Sequence, residues 1–170
     1  MEDGKTRRKE LMSAWVAGFF DGEGTIGLYS YERLKKGNSP YIIKRLTIEN
    51  TNKEVMDYYS EFLNENNIKH YRFFHPKRKD RKSSPIYAVS VVSYRGCEKL
   101  LKTLLPYLVC KKKQAQAMLE FLELRRTIPW GHPIPEKLTY DYIKKIKQLK
   151  QSSEAIRLIP QGGKEMVHTV

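Results

Sequence analysis

Between Lys9 and Phe20 the apolar residues Leu11, Met12, Trp15, Val16, Phe19 and Phe20 recur at three- and four-residue intervals, the spacing of one helical face. The segment Asp21-Gly22-Glu23-Gly24 is expected to close that helix, because two glycines so close together interrupt its periodicity. Alternation over residues 25–31 predicts a strand. A polar loop containing Gly37, Asn38 and Pro40 leads to a second strand over about residues 41–49. Thr51 with Glu54 three positions on forms a capping-box pattern ahead of a helix whose apolar face carries Val55, Met56, Tyr59, Phe62 and Leu63. The pattern then repeats. Strands are expected over residues 69–75 and 86–92, joined by a strongly basic segment, 76–85. Helices follow over about 95–105, stopping near Pro106, and about 111–125, with Ala115, Met118, Leu119 and Leu122 on one face. After a loop at 129–135, Thr139 is expected to cap a last helix bearing Ile143, Ile146 and Leu149.

The resulting order, α-ββ-α-ββ-α-α-α, describes an α+β domain over residues 8–152, with a loosely ordered tail over 153–170. Two antiparallel hairpins interleaved with helices predict one four-stranded sheet covered on one face. In the first strand Ile26 and Leu28 oppose Thr25, Gly27, Tyr29 and Tyr31; in the second, Leu46 and Ile48 oppose Arg45, Thr47 and Glu49. In the third strand His70, Arg72 and Phe74 share a face that is expected to join the polar one. Hydroxyls, a guanidinium and a carboxylate on an open face match the donors and acceptors of base edges. An ordinary solvated sheet face has the same alternation.

Charge separates these readings. Thirty-two Lys and Arg against nineteen Asp and Glu leave +13 on 170 residues. A field of that sign favours a polyanion, above all nucleic acid, over an acidic membrane surface. The hairpin loops add Arg33, Lys35 and Lys36 in one and Lys77, Arg78, Lys79, Arg81 and Lys82 in the other. A sheet with basic tips is suited to lie along duplex DNA. No apolar run approaches the ~20 residues of a bilayer span, so no membrane partner is expected. The start of the chain lacks a secretory pattern. Cys97 and Cys110 are too few and too far apart for a disulfide framework or a cysteine zinc site, and the four histidines lack zinc-ligand spacing. An intracellular location is expected, in an archaeal or bacterial cytoplasm or an organelle matrix.

One motif is a decoy. Gly22-Glu23-Gly24-Thr25-Ile26-Gly27 satisfies G-x-G-x-x-G, with Glu49 downstream. A dinucleotide fingerprint needs a strand before the glycines and a helix after them, and here the order is reversed. The whole segment from Val16 to Gly24, Val-Ala-Gly-Phe-Phe-Asp-Gly-Glu-Gly, instead resembles the nine-residue LAGLIDADG motif of homing endonucleases. The departures are Val at the first position, Phe at the fourth and fifth, Gly at the seventh and Glu at the eighth. The likeness extends over about 130 residues, through Ile48-Glu49-Asn50-Thr51-Asn52 and Leu105-Pro106-Tyr107-Leu108 running into Lys111.

The resemblance implies a site-specific endonuclease that cuts double-stranded DNA at a long, near-palindromic site and leaves staggered ends. Only one copy of the motif is present, which in this family implies a C2 homodimer. Ala14, Gly18 and Gly22 recur every four positions and leave a helical face without bulk, as close helix packing requires. Ala17 and Asp21 are expected at the same interface, with Asp21 held across it. Glu23 matches the family's metal-binding acid, with the Gly22 carbonyl as a further ligand. The implied cation is Mg²⁺, with Mn²⁺ as an alternative and Ca²⁺ expected to bind without supporting cleavage. Lys111 matches the active-site basic residue, although Lys112 and Lys113 leave the register open by one. Asn52 matches a water-orienting polar residue, and beside the Thr51 cap a plain structural role fits it equally well. Two other functions share the basic charge: an RNA-binding maturase that assists splicing of its host intron, and a DNA-binding regulator that does not cut.

Overall fold

The computed structural model describes residues 2–31, 41–76, 84–129 and 131–157. Five helices and four strands follow in the order α1 (Glu2–Glu23), β1 (Gly24–Tyr31), β2 (Tyr41–Asn50), α2 (Lys53–Glu65), β3 (Tyr71–His75), β4 (Ile86–Val91), α3 (Tyr94–Leu104), α4 (Lys112–Thr127) and α5 (Glu136–Arg157). The strands form a single antiparallel sheet in the order β1-β2-β4-β3. Helices α1, α2 and α3 pack on it, while α4 and α5 pack on each other and against β1. The expected α+β architecture is the one observed. No described helix is long and apolar enough to cross a membrane.

The helices lie over the face that carries Ile26, Leu28, Leu46, Ile48, Val89 and Val91, all buried. Beneath them sit Met12, Val16, Ala17 and Phe20 of α1, Met56, Tyr59, Phe62 and Leu63 of α2, and Leu100, Leu101 and Leu104 of α3. Burying side chains of this size contributes about 1.5–3 kcal/mol each, which is why the apolar faces were visible in the spacing.

Helix α1 ends at Glu23, within the segment expected to close it. It stops at Gly24, where a Cβ would lie 2.5 Å from the Phe20 carbonyl oxygen, so only glycine fits this turn into β1. Other boundaries differ from expectation. Helix α2 is capped by Asn52 rather than Thr51, the Asn52 side chain accepting from the Val55 N–H at 3.2 Å. At its other end Asn66 terminates the helix and Asn67 takes a positive φ of 49°. Helix α5 begins at Glu136, so Thr139 lies inside its first turn, buried, instead of capping it. That helix continues to Arg157, five residues into the segment expected to be a tail. The remainder of that segment lies outside the described residues.

Candidate functional site

The two ends of the motif helix meet different surroundings. Along its length Met12, Ser13, Val16, Ala17, Phe20 and Asp21 face the chain's own core, while Leu11, Ala14, Trp15, Gly18 and Gly22 face outward. At Gly18 and Gly22 a Cβ would meet nothing within 4 Å, so the outer face is open. Trp15 stacks on Phe19 and meets Tyr58 edge-on, yet stays 43% exposed, and Leu11 is 64% exposed. Ala14, Gly18 and Gly22 therefore lie on one uncovered stripe. Ala17 does not: it is fully buried among its own chain's side chains, one hundred degrees around the helix from its neighbour Gly18.

Asp21 is engaged within its own chain. One carboxylate oxygen accepts from the backbone N–H groups of Val109, at 2.6 Å, and Cys110, at 3.1 Å; the other accepts from that of Lys111 at 2.8 Å. Helix α4, whose N-cap Lys111 makes no side-chain capping bond, thus receives its cap from a residue about ninety positions earlier. A carboxylate is well placed there, because the first N–H groups of a helix lack partners and carry partial positive charge.

Lys111 returns the contact. Its Nζ donates to the main-chain carbonyl of Asp21. The carbonyls of a helix's last turn lack intrahelical partners and carry partial negative charge, so this end of α1 attracts cations. The Gly22 carbonyl belongs to the same turn, and the exposed carboxylate of Glu23 ends it. Lys111 is therefore brought to the end of α1 that Gly22 and Glu23 complete. Lys112 and Lys113 are exposed on the first turn of α4, whereas Lys111 is half-buried against α1. Asn52 is occupied at the start of α2. Asn50, not singled out from the sequence, ends β2 two residues beyond Ile48, the partner of Gly24, and its side chain accepts from the Asn52 N–H at 2.8 Å. Cys97 offers no competing nucleophile: it is fully buried, and burial pushes its thiol up to about 12.

The second part of the site is the sheet face away from the helices. Cross-strand register puts Thr25 beside Thr47, Thr47 beside Ser90 and Ser90 beside Tyr71, so these four share that face. Thr47 and Ser90 share a hydrogen bond of 2.8 Å between their hydroxyls. Arg45 and Glu49 flank them, exposed, and Tyr29 and Tyr31 stand outward from β1, with the Tyr29 ring lying over Gly27. The predicted faces of β1 and β2 match this arrangement.

For β3 the expected face is the wrong one. Tyr71, Phe73 and His75 pair with Ser90, Ala88 and Ile86 and occupy the open face; Arg72 and Phe74 occupy the other. Arg72 is ion-paired with Asp57 of α2, and Phe74 lies against Tyr87 with ring centroids 5.2 Å apart. His70 precedes the strand, its Nδ1 bonded to the Ile68 carbonyl at 3.1 Å. A side-chain period of two means that a frame displaced by one residue inverts every assignment. The signal was weak here because all five residues of this edge strand are exposed. Arg33, Lys35, Lys77, Arg78 and Lys79, expected at the DNA, lie outside the described residues.

No family model and no curated protein sequence matches the chain. Its structure matches solved homing endonucleases. It superimposes on I-CvuI, solved in complex with an I-CreI target in the presence of Mg, with a TM-score of 0.56 and 20% identity over 96% of this chain and 88% of that one. I-TnaI matches with a TM-score of 0.57 and 14% identity, over 85% of this chain and 97% of that one. The LAGLIDADG homing endonuclease I-SmaMI, bound to cleaved DNA, matches with a TM-score of 0.55 and 16% identity, over 93% of this chain and only 52% of that one. The chain has the LAGLIDADG homing-endonuclease fold.

Proposed function

We propose that this chain is one protomer of a homodimeric, divalent-metal-dependent endonuclease that cuts both strands of a long, near-palindromic DNA site and leaves staggered ends. The observation that carries the reading is the end of α1, where Gly22 and Glu23 close the helix beside an open helical face and the Lys111 ammonium donates to the Asp21 carbonyl. The LAGLIDADG motif and the fold's likeness to DNA-bound endonucleases support it.

The stripe of Ala14, Gly18 and Gly22 permits a second α1 to approach closely, and a twofold axis along it would bring two Glu23 carboxylates near each other. No three acidic, histidine or cysteine side chains converge among the described residues. The donors present, one carboxylate and one carbonyl per chain, nevertheless fit Mg²⁺, which takes one or two carboxylates and completes its shell with water and phosphate oxygens. Such a cation, when bound, supplies charge neutralisation at the scissile phosphate and a more acidic water. Glu23 and the Gly22 carbonyl would hold it. Lys111 would place its positive charge beside the phosphate oxygens as charge builds on them, anchored through Asp21. Mn²⁺ has the same oxygen preference; larger, more loosely coordinated Ca²⁺ would support binding without cleavage. Homing of an intron that encodes the protein is the proposed biological role.

The test is a cleavage selection with purified protein and a plasmid library of randomised near-palindromic sites, with Mg²⁺ or Ca²⁺, alongside Glu23→Gln. Linear product sharing one palindromic site, with Mg²⁺ and wild-type protein only, is the expected result. Tight binding of one site without cutting under any metal would overturn the catalytic assignment. Preference for structured RNA over every duplex would point to a maturase instead.

A further inference from the structure

We infer that Phe73 reads a thymine methyl group in the major groove, so that this position of β3 selects its base by apolar contact rather than by hydrogen bonding. This rests on the DNA-binding reading above and adds the chemistry of one base it selects.

The open face is divided. On β2, Arg45 and Glu49 present a guanidinium and a carboxylate, groups that hydrogen-bond to guanine and cytosine edges. In the cross-strand row that contains Glu49, the next two residues are Ala88 and Phe73, neither with a polar side-chain atom. Ala88 is buried, and Phe73 stands over the edge of the sheet 51% exposed. Its orientation is set by its neighbours: Arg72 is tied to Asp57 on the helix side and Phe74 lies against Tyr87, so Phe73 is left facing outward. None of the described residues covers it.

A phenyl ring can neither donate nor accept a conventional hydrogen bond, so it cannot distinguish base edges by their polar pattern. The C5-methyl of thymine is the apolar group that unmodified DNA displays in the major groove. Charge favours this occupant. The chain carries +13, and an apolar ring on a face shared with Tyr71, His75 and Arg45 suits a polyanion with methyl groups along its groove better than an apolar protein surface.

The experiment uses the duplex recovered by the cleavage selection, with binding measured by fluorescence anisotropy in Ca²⁺. Each thymine is replaced singly by deoxyuracil, which removes one methyl and leaves the hydrogen-bonding edge intact. At one thymine per half-site the replacement should weaken binding about fourfold to tenfold. Phe73→Ala should bind thymine and uracil duplexes equally, and Phe73→Leu, still apolar, should retain part of the preference. Because Phe73 is exposed on an edge strand, both variants should keep the wild-type melting temperature. A site at which no uracil replacement matters, or a preference that persists in Phe73→Ala, would overturn the inference while leaving the endonuclease assignment standing. A chain that binds no duplex would overturn both.

Discussion

Asp21 and Glu23 stand two positions apart in one turn of helix, and their surroundings separate them completely. Glu23 was legible as chemistry from its place in the motif. Asp21 was legible as structural, but its partners were not: the N–H groups it accepts belong to Val109, Cys110 and Lys111, and nothing local in the sequence couples positions 88–90 residues apart. The same contact explains why Lys111, rather than its neighbours, reaches the end of α1. Replacing Asp21 by Asn leaves one acceptor oxygen and turns an amide N–H₂ toward backbone donors, so about 2–3 kcal/mol of stability should be lost. If the carboxylate also positions Lys111, single-turnover cleavage by Asp21→Asn should slow at temperatures where the variant is fully folded. Adding Asp21→Asn to Lys111→Ala should then slow it little further. Thermal unfolding and cleavage rates across this double-mutant cycle separate a positioning role from a purely structural one, which would show only in the melting temperature.

Elements were read best where one side is buried. The hydrophobic spacing of α1, α2 and the β1–β2 hairpin placed their faces without the structure, because burial sorts residues by chemistry. The edge strand β3 has no buried residue, so its sequence is not sorted, and ties such as Arg72–Asp57 decide which way it faces. Hydrogen bonds from Lys53 and Arg72 hold the Asp57 carboxyl below the usual carboxylate range. A carboxyl depressed in the folded state stabilises above its unfolded pKa, near 3.9, and loses that contribution as pH falls through the folded value. Arg72→Gln should therefore melt slightly below wild type at pH 6, the gap closing as pH falls from about 3.9 through the lower folded value. A gap that persists there would mean that Arg72 acts through packing. The outer face of α1 makes an opposite kind of demand: it is unsatisfied within the chain. Gly18→Leu meets open space in the protomer, so the fold should be retained while close helix approach is blocked. On the proposed homodimer, sedimentation should show dimer for wild type and monomer for the variant, and a variant as dimeric as wild type would place the interface elsewhere.

For the whole molecule, the +13 of net charge favours a polyanion partner, and the open face of the four-stranded sheet is the surface proposed for it. Charge alone specifies neither duplex nor site. It contributes affinity by displacing counterions from phosphates, and this contribution falls steeply with salt, whereas hydrogen bonds to base edges and the apolar contact of Phe73 depend on salt far less. Raising salt from 50 to 200 mM should weaken binding to the selected duplex by about 10³-fold or more if a dimer neutralises six or more phosphates. Binding to unrelated duplex should fall at least as steeply, because it has no other source of affinity, so the ratio between the two should hold or grow. Anisotropy titrations on both duplexes across that range measure the two slopes. A shallow slope on the selected duplex would mean that the basic excess is spent away from the DNA, and would direct attention to a different charged surface of the chain.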